Sequence, residues 1–255
     1  MIDVSWSFDP TVDGGLAGIA AGYVWLARGR LDRRTAWFGI GLLVVWVALE
    51  SPLDSLGDEY LLSAHTFQHL VLAMLAPALL LLGLSPAMAR HLLRRVPGLA
   101  EVVEPMPAMV VSTTVMIAWQ APALYGLTFS SEPLHVFEHL SMMAAGTIFW
   151  WPVVWATSRE SVKRLEPRAK AAYMSMMALP LAAFSLVLVL AGSVFYGAYA
   201  TAPRLAGWLS PLTDQRLAGA AVMVLGVGSI LGTTALLRRR ESRPAARAGN
   251  ELQAA

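Results

Sequence analysis

The sequence predicts an all-α polytopic membrane protein, a bundle of seven transmembrane helices, and three observations carry that expectation. Of the 255 residues, 56% are hydrophobic and only 14% charged, where soluble domains carry about a quarter charged residues. Seven apolar runs approach the roughly 20 residues that cross a hydrocarbon core. Finally, 17 of the 19 lysines and arginines fall in alternate connections between those runs, as the loops on the cytoplasmic side of a membrane protein do.

In chain order the spans are expected at residues 12–27, 35–51, 60–83, 106–125, 134–156, 170–197 and 214–237. Span one follows MIDVSWSFDPTVDGG, which is acidic, lacks a basic segment and so does not read as a cleavable signal. Arg28, Arg30, Arg33 and Arg34 separate it from span two. Residues 86–104 interleave apolar residues with Arg90, Arg94 and Arg95, the pattern of an amphipathic connector lying on the surface. Arg159, Lys163, Arg164, Arg168 and Lys170 occupy the junction of spans five and six, and Arg238, Arg239, Arg240, Arg243 and Arg247 follow span seven. The basic clusters thus predict an outer N-terminus and a cytoplasmic C-terminus. The other ends of the spans carry Asp3, Asp9, Asp13, Asp54, Asp58, Glu59, Glu132 and Asp214, an acidic outer mouth that favours cations. Residues 1–240 read as one transmembrane domain, and 241–255, polar and rich in small residues, as a disordered tail.

Pro77, Pro152 and Pro180 interrupt spans three, five and six, and read as kinks whose freed backbone groups are satisfied by neighbouring helices. Trp150, Trp151 and Trp155 near one end of span five read as an interfacial aromatic belt; Tyr196 and Tyr199 near one end of span six read as the same, with hydrogen bonding to a histidine as the alternative. Composition also excludes. The pI of about 9.1 arises from short loop clusters, so membrane lipid is an expected partner and nucleic acid is not. There is no cysteine, which leaves histidine, carboxylate, methionine or backbone to hold any metal.

Four of the five histidines form two pairs, His65 and His69 in HTFQHL and His135 and His139 in HVFEHL. Spacing of four puts both imidazoles of a pair on one helix face, about 6 Å apart at Cβ, where they can share a metal ion. Both helices run inward from the outer side, and both pairs lie in the first turns, so the four rings are expected at similar depth. His91, among arginines of the connector, reads as a solvated residue. Glu50, Glu138 and Asp214, with Gln215, also lie near the outer side, and ionisable groups there tend to mark ion sites. Glu138, one residue before His139, points about 100° away from it and suits a supporting role better than a ligand's. Met142 and Met143 follow about one turn below His139 and offer thioethers to a soft ion, though methionine is also ordinary packing material. Haem is an alternative, limited to one because the two histidines of a pair are too close to serve two. A zinc hydrolase is another, since HVFEH fits H-x-x-E-H, but that pattern leaves His65 and His69 unexplained. Purely structural or proton-relay histidines are the remaining reading.

HTFQHLVLAMLAPALLLLGLSP, WQAPALY, HVFEHLSMMAAGTIFWWPV and TDQRLAG, in this order over residues 35–235, resemble the CtaG family of caa3-type cytochrome c oxidase assembly factors. The resemblance implies a non-enzymatic, multi-pass protein of the bacterial plasma membrane that assists maturation of the copper centre of a haem-copper oxidase. It implies oxidase subunits as partners, with a periplasmic or extracellular copper donor, and it carries the family's histidines onto His65, His69, His135 and His139. Copper suits imidazole ligands, and zinc would bind them too.

Overall fold

The computed structural model describes residues 5–155 and 165–238, and these are all-helical, with no strand among them. In order the helices are α1 (Pro10–Ala27), α2 (Arg33–Glu50), α3 (Pro52–Glu59), α4 (Leu62–Gly83), α5 (Pro86–Arg95) and α6 (Leu99–Val102). They continue with α7 (Pro105–Ala118), α8 (Pro122–Thr128), α9 (Glu132–Val154), α10 (Pro167–Leu190), α11 (Gly197–Thr201) and α12 (Pro211–Arg238). Proline opens α1, α3, α5, α7, α8, α10 and α12, where its missing N–H has no intrahelical partner to lose and its fixed φ already suits a helix. Arg159, Lys163, Arg164, most of the arginines after span seven and the tail 241–255 lie outside the described residues.

Among the described residues, α4, α10 and α12 are each long and apolar enough to cross a bilayer. Two bent pairs, α2 with α3 and α7 with α8, reach the same measure together, at angles of 46° and 71°. α1 and α9 are 18 and 23 residues long. α9 combines Glu132, His135, Glu138 and His139 on one helix, which lowers its hydropathy. One expected span is broken by a bend and another ends early. Span four was expected to reach residue 125, but α7 stops at Ala118 because Pro122 disfavours helical geometry at the residue before it, and the chain turns into α8. Span six was expected to reach residue 197, but α10 stops at Leu190. The backbone beyond is held by α12: Gln215 Oε1 accepts from Phe195 N at 2.7 Å, and its Nε2 donates to Ser193 O at 3.1 Å.

The connector forms α5 and α6. α5 buries Met88, Ala89 and Leu93 and exposes Arg90, His91, Arg94 and Arg95, as an amphipathic helix should. One core runs through the bundle around Phe149, Met174, Met177 and Ile230. Buried serines tie helix pairs within it: Ser112 Oγ donates to Ala145 O at 2.8 Å and Ser185 Oγ to Gly219 O at 2.7 Å, satisfying side chains that hydrocarbon could not. The three tryptophans of α9 and its end are a correction. Trp150, Trp151 and Trp155 belong to this core, and Trp155 Nε1 donates to Leu81 O at 2.9 Å. A belt residue faces lipid headgroups; these face other helices.

α4 and α9 meet through a backbone feature that positions the histidines above it. Val71–Leu75 of α4 is a π-helical stretch, followed by Pro77, which has no N–H to give the Ala73 carbonyl. Gly146 of α9 lies against that carbonyl, and a Cβ at residue 146 would overlap it. The close approach of the two helices therefore depends on glycine on one side and a proline-freed carbonyl on the other.

Candidate metal centre

α4 starts without a cap of its own, since Leu61 offers no side-chain acceptor. Asp214 of α12 supplies one from 152 residues away: its Oδ2 accepts from Leu62 N at 2.7 Å and its Oδ1 from Ser63 N at 3.2 Å, with Ser63 Oγ donating to the same oxygen. A carboxylate at this end also complements the helix dipole. So anchored, α4 turns His65, Gln68 and His69 inward, all buried. α3 closes on the same end. Gly57 packs against His65, where a Cβ would lie 3.0 Å from His65 Cα, and this contact brings Asp58 to the histidines.

The four paired imidazoles converge. Ring centroids are 4.2 Å apart for His65–His69 and 4.3 Å for His135–His139, and across the helices 5.1 Å for His69–His139, 5.6 Å for His65–His135 and 6.0 Å for His65–His139. Two triads result. Ligand-capable atoms of His65, His69 and His139 lie within 4.8 Å of one another, and so do those of Asp58, His65 and His135. Asp58 Oδ1 sits 3.2 Å from His65 Nδ1 and 3.6 Å from His135 Nε2. The Nε2 atoms of all four histidines are buried without a hydrogen-bond partner. Each such atom costs about 1–3 kcal/mol unless a water, a proton partner or a ligand reaches it.

The remaining sequence candidates divide. Glu138 is fully buried, with Oε1 3.9 Å from His69 Nδ1 and neither carboxylate oxygen hydrogen-bonded. It thus faces the other helix's pair, not its own. Glu50 is buried away from the histidines: its carboxylate accepts from Asp9 N at 3.1 and 3.2 Å, and its carbonyl from Ser7 N at 2.9 Å, so it pins the segment leading into α1. Asp214 is the cap of α4. Met142 lines a cavity that adjoins His69, whereas Met143 packs among Val45, Ala48, Leu72 and Ala76.

In the sequence Asp58 reads only as one acid of the outer mouth, although its place four residues after Asp54 and shortly before HTFQH hints at more. Gln68, between the two histidines, donates from Nε2 to Ala48 O at 2.9 Å and to Asp54 Oδ1 at 2.6 Å, locking α2 and α3 to the histidine helix. The tyrosines are a second correction. Tyr196 and Tyr199 are buried, not at a lipid-facing belt. Tyr199 OH donates to Gly57 O at 2.7 Å and lies 3.2 Å from Tyr125 OH, and the Tyr125 ring stands 5.4 Å from the His65 ring. Together they wall one side of the cluster and hold the α3 turn that carries Asp58.

The sequence model of the cytochrome c oxidase caa3 assembly factor family matches residues 20–241, a stretch that includes every residue of both triads. The chain belongs to this family. No curated protein and no solved structure matches it. For an oxidase assembly factor the arrangement has a plain chemical capacity: neutral imidazole nitrogens and one carboxylate, already gathered at the end of two packed helices, can hold a cation. The donor set fits copper or zinc. Access is graded. The side chains of Asp58 and His135 are 32% and 19% exposed and line an outward pocket with Glu132, while those of His65 and His69 are 2% and 6% exposed.

Proposed function

We propose that this assembly factor binds copper through His65, His69, His135 and His139 and supports maturation of the copper centre of a haem-copper oxidase, without catalysing a reaction itself. The single observation that carries the proposal is the group of four buried Nε2 atoms without a hydrogen bond on two adjoining helices. Imidazole is a good copper ligand, and a site without thiolates retains the ion less tenaciously, which suits handing it to the oxidase's own ligands. Asp58 and His135 form the accessible side, Glu138 offsets positive charge beside His69, and Asp214 fixes the helix that carries half the ligands. In this reading the chain crosses a bacterial plasma membrane seven times, α1 and α9 included, with its N-terminus outside and its C-terminus cytoplasmic. The cluster then lies in the outer half, open to a copper donor on that side, and oxidase subunits are the recipients.

Other readings fit the geometry less well. The rings stand 4.2–6.0 Å apart in one cluster, which leaves no flat slot between α4 and α9 for a porphyrin. In a zinc hydrolase built on HVFEH, the glutamate would serve a water on its own helix's metal, yet Glu138 stands beside His69 of α4. Metal analysis of full-length protein in detergent tests the proposal. About one or two copper ions per chain are expected, lost in both His65→Ala and His139→Ala. Unchanged stoichiometry in both variants would sink it.

A further inference from the structure

The cavity that adjoins His69 is lined from α4, α7, α8, α9, α10 and α12, and three of these helices, α4, α7 and α9, each contribute a methionine: Met74, Met116 and Met142. All three side chains are buried. At about 50 Å³ the space exceeds the 10–15 Å³ needed for one water and falls well short of an organic ligand pocket. Methionine ordinarily fills gaps in a core because its side chain is flexible. Here three of them line a gap instead of filling it, and the same wall includes a histidine whose buried Nε2 makes no hydrogen bond.

We propose that Met74, Met116 and Met142, with His69, form a second and softer metal site, specific for a monovalent d¹⁰ ion, which is Cu(I) if the copper reading above holds. Thioethers are neutral and polarisable, and they select Cu(I) over divalent ions that prefer nitrogen and oxygen. Glu138 stands beside His69, where its carboxyl group can balance the charge of a bound cation. Donor softness then rises with depth, from Asp58 and His135 at the accessible side, through the buried imidazoles, to the thioethers. His69 belongs to both the imidazole cluster and the methionine chamber, so an ion can pass between them without leaving protein ligands. No change of oxidation state is involved; the ion enters and stays as Cu(I).

The test compares Ag(I), a redox-inert probe of Cu(I) sites, with Zn(II) on the full chain in detergent. Leucine replaces methionine with little change in volume. The Met74→Leu/Met116→Leu/Met142→Leu variant should bind Ag(I) at least about tenfold more weakly and keep its Zn(II) binding. X-ray absorption of the Ag(I)-loaded wild type should show sulfur neighbours, a readout that does not depend on how the variant folds. Unchanged Ag(I) binding in the triple variant, or a wild-type spectrum without sulfur, overturns the proposal. The copper reading fails separately: His65→Ala and His139→Ala would then leave Zn(II) binding intact, whatever Ag(I) does.

Discussion

The two triads share His65 and differ in almost everything else. Asp58, His65 and His135 mix a carboxylate with imidazoles, are partly open, and draw on three helices, one of them the short α3. His65, His69 and His139 are all imidazole and buried, and stand on α4 and α9 alone, two helices locked by Gly146 against the Ala73 carbonyl. The first has the chemistry of capture, because a carboxylate near the surface attracts cations. The second has the chemistry of retention, because the nitrogens are desolvated and their helices are fixed.

Substitutions separate the two roles, in descending order of effect. His65→Ala removes a member of both triads and should weaken copper binding by more than about 100-fold, beyond what groups outside the ligand shell usually carry; equilibrium competition with a chelator measures it. His135→Ala and Asp58→Asn touch only the outer triad. Stopped-flow loading should slow by about 10- to 100-fold in these variants, while the final stoichiometry stays that of wild type. If they lose stoichiometry as His65→Ala does, capture and retention are one site. Asp214→Ala should have the smallest effect on copper. It removes the cap of α4, costs about 1–2 kcal/mol of stability, and lowers the melting temperature with stoichiometry kept. A copper deficit as large as that of His65→Ala would instead make Asp214 part of the site.

How much of this was legible in the sequence depends on the range of the interaction. The histidine pairs were visible because helical periodicity is local: residues four apart share a face wherever the helix packs. Asp58 was not, because its place at His65 depends on a turn from α2 into α3, on Gly57 permitting contact, and on Tyr199 gripping the Gly57 carbonyl. Nor could spacing reveal Asp214 as the cap of a helix 152 residues away. Trp150, Trp151, Trp155, Tyr196 and Tyr199 were misread for a related reason: a belt aromatic and a core aromatic near a helix end have the same sequence signature, and only the neighbours distinguish them. Pro122 marks a helix boundary in the sequence itself, yet the apolar run hid it, since hydropathy continues through WQAPALY while the helix does not.

The central claim is that the gathered imidazoles bind copper. Pulsed electron paramagnetic resonance of the full-length protein loaded with Cu(II), a paramagnetic probe of the imidazole cluster, measures this directly, because the remote nitrogen of each coordinated imidazole modulates the echo. The account predicts modulation from several imidazoles in the wild type, reduced in His69→Ala and abolished at that site in His65→Ala and His139→Ala. A Cu(II) signal without imidazole modulation, or one that all three variants leave unchanged, would contradict it.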